Sequence, residues 1–473
     1  MSANVPSSST TSRREWDLVV YGATGDAGTA IAIYVANHID SYKKSNVDDD
    51  GRFRWAIAGR SEHKLNRLRS RIIVGRLKPS ANDEIGVLTA DVASSKDTSE
   101  LAKSTRVLIS AVGPYTVLGE SVYAACAEHG TNYVDITGEV DWVASMKEKY
   151  QKRATETGAT LCSFAGYDCV PCDITTYLAH KALSECDSEN GNTTTILTGV
   201  ETVTQSTGSV MPRGSMRTAI LMFSNSATFF DKLVRFASNH DGNGESGVHW
   251  KTMLALVRWL LPKWSPEFGA FTLPHFMGWC NIPVIYDSHN SSIDCTFHDR
   301  MAVPYCRDCP ATGYGLLQTL VLYFVLLVMA PLFLCLQILV ALFPSTVGLT
   351  LKVFDSLKYR GNSKNNQQHM DDATTEMWNY ATSSSGSKAT VYLHVMGDPG
   401  IKCTAALVVE TAFSMLVLLD KNELPRGVIG SPSTIVGDTL VERISDEETT
   451  GHTCTLTVTV DNKQDRNSKK KDD

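Results

Sequence analysis

No strongly basic patch dominates this 473-residue chain. Lys and Arg number 44 against 51 Asp and Glu, for a net charge of −7. Phosphate-backbone binding needs concentrated Lys and Arg, so no nucleic acid partner is expected. The polar start MSANVPSSSTTSRR lacks the apolar core of a secretory leader, which reads as a cytosol-facing protein. The twelve cysteines are scattered, mostly within apolar runs, and make no disulfide framework. Two C-x-x-C pairs occur, Cys169–Cys172 and Cys306–Cys309. Pro171 interrupts the first and no histidine follows either at ligand spacing, so no metal site is expected. Ser–His–Asp and Cys–His nucleophile arrangements are missing as well.

Charge is absent altogether from Cys309 to Leu351. The densest part, Gly315 to Phe343, is long enough to cross a bilayer as a helix, and soluble core helices seldom run so long without a charge. Pro331 near its middle would kink or break that helix. A single span would separate the flanking regions across the bilayer. A bent hairpin would keep both on the cytosolic side and would also fit a lipid-droplet monolayer, and span and hairpin both stay open. The stretch 249–264 has Trp250, Trp259 and Trp264 beside Lys251, Arg258 and Lys263, which suits an interfacial helix or an amphipathic core helix. The expected location is membrane-associated on the cytosolic face, at a lipid droplet or the endoplasmic reticulum.

Over the whole chain composition is ordinary, 43% hydrophobic and 20% charged, and the length suits two or three domains. From Trp16 onward, short apolar runs at 16–21, 53–58, 85–90, 107–112, 132–136 and 160–164 alternate with amphipathic stretches such as 61–72 and 139–157. Strand alternating with helix predicts a parallel sheet wrapped on both faces. After Asp173 the rhythm changes, with strand-like runs at 195–204, 388–397 and 453–460 and a helix-like run at 403–420. The expected organisation is a disordered tail over 1–14, a Rossmann NAD(P)-binding domain over 15–173, and a substrate α+β domain built from 174–308 and 377–460. The apolar segment 309–351, a polar linker over 352–376 and a disordered tail over 461–473 complete it.

The strongest local pattern is VVYGATGDAGTAIA, residues 19–32, at the first strand-to-helix junction. Gly22 permits a tight turn, Gly25 lets the backbone approach a pyrophosphate, and Gly28 allows close helix–strand packing, with Ala23 and Thr24 between them. The following helix aims its amides and dipole at the phosphates. At the end of the second strand, where an acid would select NAD, stands Arg60, with Ser61 and Lys64 close by; this favours NADP(H), with NAD(H) a weaker alternative. Asp91, after the third strand, is placed either for the adenine edge or as a helix N-cap. Gly113 and Pro114, after the fourth, fall where a nicotinamide would lie.

The blocks GATGDAGTA, AIAGRSEHKL, ISAVGPYTVLGE, YVDITGE, AGYDCVPCD, GDPGIKCTAALVVE and LPRGVIGSPSTIVGDTLVERI resemble the saccharopine dehydrogenase-like oxidoreductases. The likeness extends to the bacterial trans-acting enoyl reductases, which act on complex lipids. It implies an α/β fold: an N-terminal Rossmann parallel sheet, then a saccharopine dehydrogenase-like α/β domain carrying an apolar membrane-associating segment. Animal members of the group are associated with lipid droplets and membranes, which agrees with the charge-free segment.

A hydride transfer needs a reacting atom beside the nicotinamide and often one proton donor. Tyr115, Glu139, Tyr167 and Asp168 fall at predicted strand ends, and Tyr115 or Tyr167 is placed to act as general acid. Arg213 would steady a carbonyl or carboxylate oxygen. Each has a structural alternative: Glu139 as a helix cap, Tyr167 and Asp168 as shapers of the domain crossover. The leading expectation is an NADP(H)-dependent reductase of a lipid-linked carbonyl or double bond at a membrane or lipid droplet, in lipid or glycolipid metabolism. A saccharopine-type amino-acid dehydrogenase would need a basic cluster that the second domain does not show. A non-catalytic nucleotide-binding scaffold on lipid droplets is the third reading. Self-association into a homo-oligomer stays open.

Overall fold

The computed structural model describes residues 14–45, 53–75, 85–192, 194–207, 263–302, 370–446 and 454–462, with residues 218, 254–255, 258–259, 261 and 324. The apolar segment 315–343 otherwise lies outside the described residues, as do Arg213 and the Cys306–Cys309 pair.

The alternating pattern of the first third folds as β1 (Trp16–Tyr21), α1 (Asp26–Ser45), β2 (Trp55–Gly59), α2 (Glu62–Gly75), β3 (Ile85–Thr89), α3 (Ser95–Ser104) and β4 (Thr105–Ser110). It continues with the short α4 (Tyr115–Leu118), α5 (Glu120–His129), β5 (Asn132–Asp135), α6 (Val140–Thr157), β6 (Leu161–Cys162) and α7 (Val170–Glu189). Side chains of a strand alternate between faces. In β1, Leu18 and Val20 enter one hydrophobic core while Val19 and Tyr21 enter another on the opposite face. A strand buried on both sides reads as a continuous apolar run, which is why these strands were visible in the sequence.

The second region holds β7 (Leu197–Ser206), β8 (Lys263–Ser265), β9 (Ala270–Pro274), α8 (Gly278–Ser288), β10 (Phe297–Ala302), β11 (Thr374–Ser383) and β12 (Lys388–Met396). A π-helical turn, Pro399–Cys403, opens α9 (Thr404–Asp420), followed by β13 (Ile429–Gly430), α10 (Pro432–Ser445) and β14 (Cys454–Asp461). Two seven-stranded sheets result, ordered β13-β6-β5-β4-β1-β2-β3 and β14-β12-β11-β7-β10-β9-β8. The first is parallel throughout. Its order reverses direction between β1 and β4, which makes that edge the topological switch point. The second is antiparallel except where β10 runs parallel to β7.

Three sequence expectations change in the fold. Arg14, read as tail, is anchored: its guanidinium donates to the carbonyls of Ala102 (2.7 Å), Thr105 (2.7 Å) and His129 (2.6 Å). Thr374–Glu376, read as linker, begin β11, because pairing with β7 and β12 outweighs their polar composition. Lys263 and Trp264, read as the end of an interfacial helix, belong to β8 and pair with β9. The C-terminal stretch also divides between the sheets. β13 extends the first, and α9 packs on α1 through Tyr34–Glu410 (3.1 Å) and Tyr42–Asp420 (2.7 Å) hydrogen bonds. Pro399–Asp420 is long and apolar enough to cross a membrane, with a mean hydropathy of 1.8, yet 89% of that stretch's most apolar part is buried inside the fold.

Candidate functional site

The glycine loop joins β1 to α1 at the switch point. Gly22 has φ +81°, and a Cβ there would lie 2.8 Å from Val112 Cγ2 and 2.9 Å from the Ala111 carbonyl oxygen, so the turn is tight against the loop after β4. At Gly28 a Cβ would meet Gly22 O at 2.1 Å, so only glycine lets α1 approach β1 this closely. At Gly25 the nearest atom to such a Cβ is Gly22 O at 3.4 Å. Thr24, Gly25 and Asp26 are exposed, while Ala23 is buried beneath them. The first amides of α1 have no intrahelical partner and face outward with the positive end of the helix dipole. This is an anion cradle of the kind a pyrophosphate fills, so the residues present fit a dinucleotide.

On one side of the cradle lie the ends of β2 and β3. Arg60 and Lys64 are exposed there, and Ser61 Oγ accepts from Lys64 N (3.4 Å), capping α2. Arg60 and Asp91 both act on the Tyr21 hydroxyl, whose pKa burial raises, Asp91 raising it further and Arg60 lowering it. Asp91 is not the α3 N-cap. That role belongs to Ser94, which accepts from Asp97 N, while Asp91 accepts from Ala93 N at 3.0 Å.

On the other side lie the ends of β4, β5 and β6. Gly113 is exposed and Pro114 buried, joined by a cis peptide bond. Tyr115 faces the interior: its hydroxyl donates to Ser110 O at 2.8 Å, and burial raises its pKa well above the usual phenol range. Glu139 is 1% exposed, and both of its oxygens are engaged. Oε1 accepts from Tyr115 N (2.9 Å) and Thr218 Oγ1 (3.1 Å), and Oε2 from Thr116 N (2.7 Å) and from the Thr116 hydroxyl. The carboxylate thus closes the start of α4, which accounts for its place without a role in proton transfer. Tyr167 is buried, with its amide donating to Thr404 Oγ1 (3.2 Å) and its hydroxyl pKa raised by burial. Asp168 does face the edge: its Oδ2 lies 3.6 Å from the position a Cβ would take on Gly138, beside Trp279 and Met277.

Two residues that sequence reasoning missed complete this end. His275, just after β9, directs Nδ1 at Asp299 of β10, 2.9 Å from Oδ2 and 3.1 Å from Oδ1. Asp299 is fully buried and also accepts from Asn281 Nδ2 (2.8 Å) and Thr202 Oγ1 (3.0 Å). A carboxylate is an acceptor only, so the hydrogen bond fixes the proton on Nδ1. Burial works to lower the His275 pKa, but the Asp299 charge and hydrogen bond, with the Asp168 charge, bring it above the usual histidine value. Burial pushes Asp168 up to about 6, against the pull of His275. No motif marks LPHFM or FHDRM; only the antiparallel pairing of β9 with β10 brings the two residues together. Cys169 meets Cys280 with sulfurs 3.8 Å apart, and no His, Cys, Asp and Glu group among the described residues could hold a metal.

With this geometry in place, comparison with known proteins is specific. Residues 18–162 match the saccharopine dehydrogenase NADP binding domain family. A saccharopine dehydrogenase-like oxidoreductase of Mus musculus is 34% identical over 164 residues, 35% of this chain and 37% of the relative. A lipid droplet localized protein of Caenorhabditis elegans is 34% identical over 218 residues, 46% of this chain and 47% of that one. A Mycobacterium tuberculosis protein named as a trans-acting enoyl reductase is 26% identical over 440 residues, 92% of this chain and 96% of that one. The match to the mouse relative thus spans little more than a third of its length. The resemblance to saccharopine dehydrogenase-like oxidoreductases holds over the NADP-binding stretch, which coincides with β1 through β6.

Proposed function

We propose that the chain is an NADP(H)-dependent oxidoreductase that reduces a carbonyl or activated double bond of a lipid-linked substrate at a membrane or lipid-droplet surface. The observation that carries this reading is the open cradle at Gly25, with exposed cations to one side and Gly138 with Asp168, after the ends of β5 and β6, to the other. The α1 amides would hold the pyrophosphate, Arg60 and Lys64 the 2′-phosphate, and Asp91 the adenine edge. The ring end would reach past Gly113 and Pro114. When bound, NADPH supplies a hydride; the chain's own residues orient the substrate, exclude water and provide the proton.

Support for an apolar substrate comes from the side chains around His275. Phe276 is 58% exposed, and Met277 and Trp279 stand at Gly138, next to the Asp168 carboxylate. The charge-free segment 315–343 and the nematode relative's name support a lipid surface. The test is titration calorimetry of NADPH and NADH with the full chain in detergent. Tight NADPH and weak NADH are expected; binding of neither would leave a scaffold that keeps only the fold.

A further inference from the structure

We propose that His275 is the proton donor of this reductase, held by Asp299 and Asp168 as positioning residues; the assignment rests on the NADP(H) reading above. Reduction of a carbonyl or activated C=C adds a hydride to one carbon. The π electron pair moves to the oxygen, or to the enolate that forms from the conjugated system, and the product then needs one proton. The substrate gains two electrons and the reduced nicotinamide loses them, so each turnover also consumes one proton.

Among the described residues at this end of the sheet, His275 combines a titratable proton with an orientation fixed by two hydrogen bonds. The Tyr115 hydroxyl is turned inward to Ser110 O, and the Glu139 carboxylate is closed over by the start of α4. The two oxygens of Asp299 hold the Nδ1 proton, while Asn281 and Thr202 hold Asp299 in turn, so the ring cannot flip without breaking a buried network. Nε2 is then the ring nitrogen whose proton can be transferred. In the step, the Nε2–H bond breaks toward the substrate and its electron pair stays on nitrogen. Imidazolium becomes imidazole, Nδ1 keeps its proton hydrogen-bonded to Asp299, and a solvent proton restores the cation. The charged groups that act on His275 are Asp299 of β10 and Asp168 from the loop before α7, both carboxylates, and both favour the imidazolium.

The turn after His275 reaches the end of the first sheet, where Met277 and Trp279 stand at Gly138. Gly22 abuts Ala111 and Val112, and the start of α4 is held by Glu139. Next to it Gly138 abuts Asp168, whose charge reaches His275. In this proposal the nicotinamide lies along that end of the sheet, with the imidazole as the proton donor beside it.

The test needs no known substrate. The full chain in detergent, with ¹³Cε1-labelled histidine, is titrated by NMR alone, with NADPH and with NADP+; the His275 signal is the one missing from His275→Gln. If the ring sits beside Nε2, the positive nicotinamide of NADP+ lowers the titration midpoint of His275 relative to the NADPH complex by about 1 pH unit. Asp299→Asn lowers it by about 1 pH unit in the free protein. Should His275→Gln fail to fold, the signal displaced by Asp299→Asn identifies the residue. Equal midpoints in the two complexes would place His275 away from the ring and overturn the assignment. A chain that binds neither nucleotide removes the underlying function and the assignment with it, and calorimetry separates that outcome from the first.

Discussion

Two glycines of the same loop offer a sharp test of where a dinucleotide sits, because their surroundings differ. In Gly28→Ala the new methyl would stand 2.1 Å from Gly22 O, 2.8 Å from Gly22 C and 2.9 Å from Ala23 Cα. All three are backbone atoms, so no side chain can swing aside. The helix must retreat by about 1 Å to restore ordinary contact. Overpacking of this kind costs about 1–3 kcal/mol, which lowers Tm by roughly 2–10 °C. The retreat also carries the α1 amides away from the phosphates. Losing one charge-assisted hydrogen bond worth about 1.5–3 kcal/mol weakens NADPH by roughly 10- to 100-fold. Gly25→Ala should behave otherwise. Its methyl meets nothing nearer than Gly22 O at 3.4 Å, so the fold tolerates it and Tm stays within about 1 °C. The methyl does project from the exposed face where a pyrophosphate would approach, and NADPH binding should fall about 10-fold or more. Thermal unfolding by circular dichroism and calorimetric NADPH titration read the two effects separately. A folded Gly25→Ala protein that binds NADPH as tightly as the parent chain would refute the placement of the phosphates.

Arg60→Ala should weaken NADPH about 10-fold or more while leaving NADH unchanged, since only the former carries the 2′-phosphate; equal weakening in fluorescence titrations would remove the argument for Arg60. Glu139→Ala leaves two backbone N–H groups at the start of α4 without their acceptor, and should lower unfolding stability by about 2–4 kcal/mol in denaturant titrations. An unchanged stability with lost activity would instead make Glu139 a participant in the chemistry. Burial pushes Asp135 up to about 7, above its unfolded value, so its contribution is full below about pH 4 and is lost as pH rises through 7. Asp135→Asn should therefore flatten the fall in Tm between pH 4 and 7, and a parallel curve would discount that carboxyl. Removal of 315–343 should leave a chain that stays in the supernatant without detergent and still binds NADPH. Loss of binding together with cooperative unfolding would give that segment a place in the core.

What was legible in the sequence follows from what leaves a local trace. The strands of the first sheet are buried on both faces, so their apolar runs stand out, and Gly25 and Gly28 answer to contacts within the loop itself. The proposed phosphate end of α1 is therefore readable without tertiary knowledge. Long-range placements leave no such trace. Glu139 reads as a helix cap, and it is one, but for α4 rather than for α6, twenty-four residues back at Tyr115. Tyr115 reads as facing the cofactor because it follows a strand end, yet its ring turns under the sheet to pack near Trp142, at 5.3 Å between centroids. His275 and Asp299 lie 24 residues apart with no periodic relation between them.

The second sheet explains how such a pair is kept so well placed. Adjacent residues of β10 point to opposite faces, so Asp299 and Arg300 do separate work. Arg300 is fully buried and its guanidinium donates to Thr272 Oγ1 (3.1 Å), Trp259 O (2.9 Å), Leu261 O (2.7 Å) and Thr272 O (2.8 Å). That ties β9 and the segment before β8 to β10, which fixes the position of His275 at the end of β9. The Trp259 indole adds a hydrogen bond to the His275 carbonyl at 3.0 Å. Asp299, on the other face, then meets the imidazole. A buried cation held by four hydrogen bonds resists displacement, because breaking one partner leaves charge unsatisfied. Arg300→Met should accordingly disturb His275 more than it disturbs the first sheet. In the NMR titration above, the His275 midpoint should drop toward the ordinary histidine value as Asp299 loses its alignment, while NADPH affinity stays within about twofold, since the cradle lies on the first sheet. A variant that keeps the His275 midpoint and loses NADPH instead would mean that the second sheet supports the cradle and not the imidazole.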